Sequence, residues 1–123
     1  MKNHYRCPVK ATSNVLAGKW KVLIVWHLSF GTRRFTELRK QVPGISEEVL
    51  ASQLRQLKMD GVVRRIDAKT SPPRVDYLLS EAGNELIPLM QAMCDWGSKN
   101  QTCRELRRRR AFSYGYRRQP STL

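Results

Sequence analysis

The pair Pro43-Gly44 separates two stretches whose apolar residues recur at helical spacing. Ahead of it, Phe35, Leu38 and Val42 fall at i, i+3 and i+7, one face of a short helix that the proline ends. Beyond it, Ser46 is a good N-cap, and Glu47 and Glu48 occupy the first turn, where the helix dipole favours carboxylates. Leu50, Leu54 and Leu57 then repeat at i, i+4 and i+7 until Asp60-Gly61 stops the second helix. Glu48, Ser52, Arg55 and Met59 fall on the side opposite those leucines. At about 1.5 Å per residue this second helix is about 20 Å long, enough to lie along a groove.

Cys7-Pro8-Val9 opens another short helix, with Val9, Thr12, Val15 and Leu16 along one side, and Gly18 breaks it. Residues 19–28 are apolar nearly all round, which predicts a central buried helix with His27 as a packed, hydrogen-bonded core histidine. Trp20, Trp26 and Trp96 are expected as core or interface anchors. Ser29-Phe30-Gly31-Thr32 makes a turn. Residues 62–66 and 75–79 have strand composition, and the stretch between them, with Pro72-Pro73, makes a hairpin loop. Ser80 then caps a long helix in which Leu86, Leu89, Met90, Met93 and Trp96 form an amphipathic stripe. Pro88 kinks that helix or marks the start of its regular part. Three helices, a tight turn, a helix, a hairpin and a last helix spell a winged helix-turn-helix, a mainly α (α+β) fold with a two-stranded β wing. In that fold the helix after the tight turn fits the major groove, and the hairpin reaches the neighbouring backbone or minor groove.

Composition points the same way. Of 123 residues, 23 are Lys or Arg and 10 are Asp or Glu, a net charge of +13. This favours a phosphate backbone or an anionic membrane over acidic or neutral partners. Residues 1–74 carry fifteen bases against five acids, residues 75–103 one base against four, and residues 104–123 seven arginines against one glutamate. The first part of the chain is therefore expected to face a polyanion. No apolar run approaches the roughly 18–20 residues of a membrane span. Met1-Lys2-Asn3-His4-Tyr5-Arg6 leads into no apolar region, so a cytoplasmic protein with no membrane partner is expected. Three cysteines with no CxxC argue against a disulfide framework or a zinc site, and no metal or cofactor is expected. The length predicts one domain, residues 7–103, followed by a basic, flexible tail, residues 104–123, where Phe112, Tyr114 and Tyr116 stand among arginines.

Several of these segments also resemble one family. Cys7-Pro8-Val9, Gly18-Lys19-Trp20-Lys21, Arg34-Phe35-Thr36-Glu37-Leu38-Arg39 and Pro43-Gly44-Ile45-Ser46 are similar to the HxlR-type bacterial transcription regulators. So are Leu54-Arg55-Gln56-Leu57, Asp60-Gly61-Val62-Val63-Arg64-Arg65, Pro72-Pro73-Arg74-Val75-Asp76-Tyr77 and Cys94-Asp95-Trp96-Gly97, all in order and at matching spacing. The resemblance implies a dimeric winged-helix DNA binder, held together by its N- and C-terminal helices. It further implies a cytoplasmic protein that regulates a neighbouring gene, commonly as a repressor. In some members of the family the cysteine near the N-terminus senses oxidants or electrophiles. Glu47-Glu48 departs from the family's usual polar or basic residues, so base preference does not transfer, and the arginine-rich tail is not a family hallmark.

Ser46, Glu48, Ser52 and Arg55 are the candidate base readers: arginine for guanine, glutamate for the cytosine amino group, serine for either. Lys19, Arg33, Arg34, Thr36 and Arg39 flank the two helices and are candidate phosphate contacts, as are Lys69 and Arg74 in the wing. Arg64 and Arg65 alternate along a strand, so at most one faces DNA. Leu86, Leu89, Met90, Met93 and Trp96 are the dimerisation candidates. Cys7 has cations and a helix start beside it, both of which stabilise a thiolate; it is either a redox sensor or a small packed hydrophobe. Cys94 reads as a packing residue and Cys103 as an exposed one. The expected function is a sequence-specific DNA-binding regulator, not an enzyme: a homodimer that represses from an inverted repeat in double-stranded DNA, its effector unidentified. Two alternatives stay open. One is a non-specific nucleoid- or RNA-binding protein, suggested by the tail. The other is a thiol enzyme using Cys7, for which neither His4 nor His27 offers a base at suitable spacing.

Overall fold

A computed structural model describes residues 7–100 of the chain. His4, Cys103 and the basic tail with Phe112, Tyr114 and Tyr116 lie outside the described residues. In chain order the elements are α1 (Pro8–Val15), α2 (Lys21–Leu28), β1 (Arg33–Arg34), α3 (Phe35–Gln41) and α4 (Glu47–Met59). They continue with β2 (Val63–Ala68), β3 (Arg74–Leu79), α5 (Glu81–Asn84) and α6 (Ile87–Asn100).

Helix α2 is apolar nearly all round because it is surrounded: α3, α4, α6 and β3 all pack on it, and Ile24 and Val25 are fully buried. Leu38 and Val42, then Leu50, Leu54 and Leu57 of α4, close one side of this core. Val63, Tyr77 and Leu79 of the sheet close another. Burying one such leucine contributes about 1.5–3 kcal/mol, so the three-leucine stripe is what seats α4 on α2.

Local signals set the two helix starts. At α3, the Arg34 N–H donates to Glu37 Oε1 at 2.7 Å. At α4, the Val49 N–H donates to Ser46 Oγ at 3.1 Å. Each bond satisfies an amide that the helix itself leaves unpaired. Between the helices Gly44 has φ +85°, a left-handed conformation that costs a residue with a Cβ and lets the chain reverse at once.

Strands β2 and β3 pair antiparallel, with Val63 opposite Leu79, Arg65 opposite Tyr77 and Ile66 opposite Asp76. Opposed residues share a face, so Val63, Tyr77 and Leu79 turn to the core while Arg64, Ile66 and Asp76 turn away from it. The hairpin wing is present, with strands longer than residues 62–66 and 75–79. It also gains a member that two residues of sequence could not announce. β1 pairs along β3, Arg33 opposite Tyr77 and Arg34 opposite Asp76, giving a three-stranded sheet in the order β1-β3-β2.

The single long helix expected after Ser80 is instead two helices. Ser80 Oγ accepts from the Gly83 N–H at 3.0 Å and starts α5. Helix α6 begins afresh at Ile87, with Pro88 in its first turn, where a missing N–H loses no hydrogen bond. The Ser80 hydroxyl also donates to the Gly61 carbonyl at 2.6 Å, tying this junction to the end of α4. A Cβ on Gly83 would overlap the Val62 carbonyl oxygen, so α5 docks there only because the residue is glycine.

Met90 is corrected. It is 2% exposed and lies in the chain's own core, whereas Leu89, Met93 and Trp96 are 39%, 46% and 60% exposed. At about 100° per residue Met90 sits about 60–120° round α6 from those three, far enough to face α2. The exposed apolar stripe is therefore narrower than the sequence pattern, with Leu86 half-buried at its start.

Candidate nucleic-acid interface

Because its leucines are turned to α2, α4 presents Glu48, Arg55 and Met59 to solvent, with Ser52 half-buried between them. Gln56 Nε2 donates to Ser52 Oγ at 3.4 Å, which leaves the serine's own O–H unassigned to that bond. Neither Glu48 nor Arg55 is in an ion pair among the described residues.

Beside the start of α4 lies an open cleft of about 620 Å³, lined by Thr36, Arg39 and Lys40 from α3 and by Gly44, Ile45 and Ser46. Two cations and a hydroxyl thus face the end of α4 where its unpaired amides and positive dipole end are found. Lys19 stands over the Trp20 ring, Nζ 4.6 Å from its centroid. The edge of that ring lies 3.9 Å from where a Cβ on Gly44 would be, so Lys19 is held near the same turn. Thr36, Arg39 and Ser46 are brought together as candidates, and Lys40 is a member that sequence reading missed. The signal for it was present, since Leu38 and Val42 point inward and leave Arg39 and Lys40 on the outside.

The remaining predicted cations differ from one another. Arg34 is exposed, but Arg33 shares the inner face of the sheet with Tyr77; its Nε is buried with no hydrogen-bond partner, and its Nη1 donates to the Thr32 carbonyl at 3.3 Å. Arg33 is thus half-buried, its Nε enclosed while its Nη1 lies at the exposed end of the side chain. In the wing, Arg74 is gripped by Asp76 through two bonds, Nε to Oδ1 at 3.2 Å and Nη2 to Oδ2 at 3.3 Å. Arg65 is likewise paired with Asp67 at 3.1 Å. Lys69, in the hairpin loop, and Arg64, on the sheet's outer face, are the wing cations in no ion pair among the described residues.

His27 is 4% exposed. Burial, with the Arg33 guanidinium adding to it, pushes its imidazole down to about 4, so it is neutral at pH 7 and contributes no charge to the surface. Cys7 is the N-cap residue of α1, half-buried, with Pro8 in the first helical turn. Cys94 is half-buried in α6, where burial and then the Asp95 carboxylate push its thiol up, keeping it protonated and unreactive. Among the described residues no three His, Cys, Asp or Glu side chains are grouped to hold a metal, and no helix is long and apolar enough to cross a membrane.

Residues 15–105 match the HxlR-like helix-turn-helix family. The HTH-type transcriptional regulator YdeP of Bacillus subtilis (strain 168) is 45% identical over 93 residues, covering 76% of this chain and 73% of that protein. The redox regulator HypR in its reduced form superposes with a TM-score of 0.75 at 39% identity, covering 80% of this chain and 98% of that one. The reduced form of the regulator YodB from B. subtilis superposes with a TM-score of 0.68 at 31% identity, covering 79% of this chain and 96% of that one.

Proposed function

Because the chain belongs to the HxlR-like helix-turn-helix family of DNA-binding transcriptional regulators, we propose that it acts as a homodimeric repressor on an inverted-repeat operator. The observation that carries this reading is the cleft between α3 and α4. It has Thr36, Arg39, Lys40 and Ser46 at the foot of a helix whose outer side carries Glu48, Ser52 and Arg55. A phosphate strand seated there sets α4 in the major groove, so that Glu48, Ser52 and Arg55 reach base edges. Lys69 and Arg64 then serve the adjoining backbone, and Arg74 contributes only if it lets go of Asp76. Exposed Leu89, Met93 and Trp96 of α6, with Val9 of α1, supply the subunit contact. Two copies of α4 related by a two-fold axis engage half-sites about 34 Å apart.

Selection of bound duplexes from random DNA at two salt concentrations tests this. An inverted repeat with that spacing is expected, and the salt slope counts the phosphates engaged. Equal affinity for unrelated duplexes would instead make the protein a non-specific nucleic-acid binder. A signal through Cys7 fits the same picture, since the helix start beside it favours a thiolate and HypR is described as a redox regulator. Treatment with diamide is expected to change operator affinity in the native chain and not in Cys7→Ser.

A further inference from the structure

Resting on the reading that α4 enters the major groove, we propose that Glu48 reads a cytosine and Arg55 a guanine about two or three base-pair steps away. The two side chains are seven positions apart on one helix. That separation places them about 20° apart round the axis and about 10.5 Å apart along it. A helix lying along the major groove is inclined to the duplex axis, and a comparable span of such a helix meets about three successive base pairs, so the two exposed groups reach base pairs about two or three steps apart.

Their chemistry selects the bases. An ionised carboxylate only accepts. In the major groove cytosine shows an amino donor with no acceptor beside it. Guanine and thymine show acceptors that repel a carboxylate, and adenine sets N7 next to its amino group. Glu48 therefore works largely by rejection: close to phosphates, it is tolerated only where a donor meets it. Arg55 offers the planar fork that fits guanine O6 and N7. Neither side chain has to leave an ion pair to do this. Glu47 precedes Glu48 in the first turn and lies about 100° round the helix towards the leucines, so it serves the helix dipole without reaching the groove.

The test is selection from random duplexes with the full chain, in native form and as Glu48→Gln and Arg55→Ala. The native protein is expected to select C and G about two or three steps apart in each half-site, and a wrong base at either position should weaken binding about 5- to 150-fold. Glu48→Gln should change its own position from C to A, because an amide matches adenine N6 and N7, and leave the other position intact. Arg55→Ala should flatten the guanine position alone. Both residues are exposed, so both variants are expected to fold, with Glu48→Gln melting slightly lower because it removes a carboxylate from the first turn of α4. A native consensus that neither variant alters, or altered positions that are adjacent or a full turn apart, would overturn this assignment while leaving sequence-specific binding in place. A native selection with no base preference would overturn both.

Discussion

Helices α4 and α6 are nearly equal in length, 13 and 14 residues, and both are amphipathic, yet they dispose of their apolar sides in opposite ways. α4 buries Leu50, Leu54 and Leu57 within its own chain and keeps for solvent a side that is polar apart from Met59 in its last turn. α6 buries Met90 and leaves Leu89, Met93 and Trp96 uncovered. A polar outer side needs no protein cover, and it is suited to a hydrogen-bonding ligand. An apolar one leaves surface in water at about 25 cal/mol per Å², which a second protein surface removes. The difference separates a helix whose apolar side folding covers from one whose apolar side folding leaves in part uncovered.

The largest expected effect lies on the inner side of α4. Leu54→Ala should lower unfolding free energy by about 2–5 kcal/mol in urea titrations, since the leucine is 1% exposed and leaves a cavity. A loss under 1 kcal/mol would show that α4 is seated by something other than its leucines.

The support shared by both helices, α2, can be weakened by acid. His27 is protonated in the unfolded chain below about 6.5 but in the folded chain only near 4, so the unfolded state binds more protons between those values. Stability is therefore full above pH 6.5 and falls as pH drops through the window, by roughly 2–3 kcal/mol by pH 4.5. His27→Gln should flatten that part of the profile, and an unchanged slope would remove His27 as its cause.

Trp96→Ala sharpens the comparison from the other side. It should weaken self-association by about 2 kcal/mol in sedimentation equilibrium, as truncated aromatic anchors do, while monomer stability stays within about 0.5 kcal/mol. Loss of monomer stability instead would mean that α6, like α4, is completed within one chain. The smallest effect is Ser46→Ala, which removes the cap bond to Val49 and should cost about 1 kcal/mol of stability.

What the sequence disclosed follows the range of the forces involved. The start of α4, the Pro43-Gly44 reversal and the burial of α2 depend on neighbours a few residues away, and their signals lie side by side in the chain. β1 is too short for any periodicity, and its partner β3 comes far later, so composition is silent on it. The apolar stripe of α6 disclosed which side avoids water but not which residues its own chain would cover, and Met90 was misplaced for that reason. Arg74 and Asp76, two apart on a strand, project from one side. Their pairing was legible and overlooked, whereas the orphaned Nε of Arg33 was not, because it depends on the sheet closing over it. The cleft was legible in part, through Thr36, Arg39 and Ser46, because each is fixed by the helix it borders.

The two residues of β1 have a mechanical consequence out of proportion to their number. α3 starts directly after Arg34, and Arg34 is stitched to Asp76 in the middle of the wing's inner strand. Hairpin and helix pair are thereby joined like the jaws of a caliper whose opening is set when the chain folds. Aligning one jaw with the other demands no further loss of chain entropy on contact with a ligand. Such a tool gauges a fixed width and has little freedom to adapt to a different one.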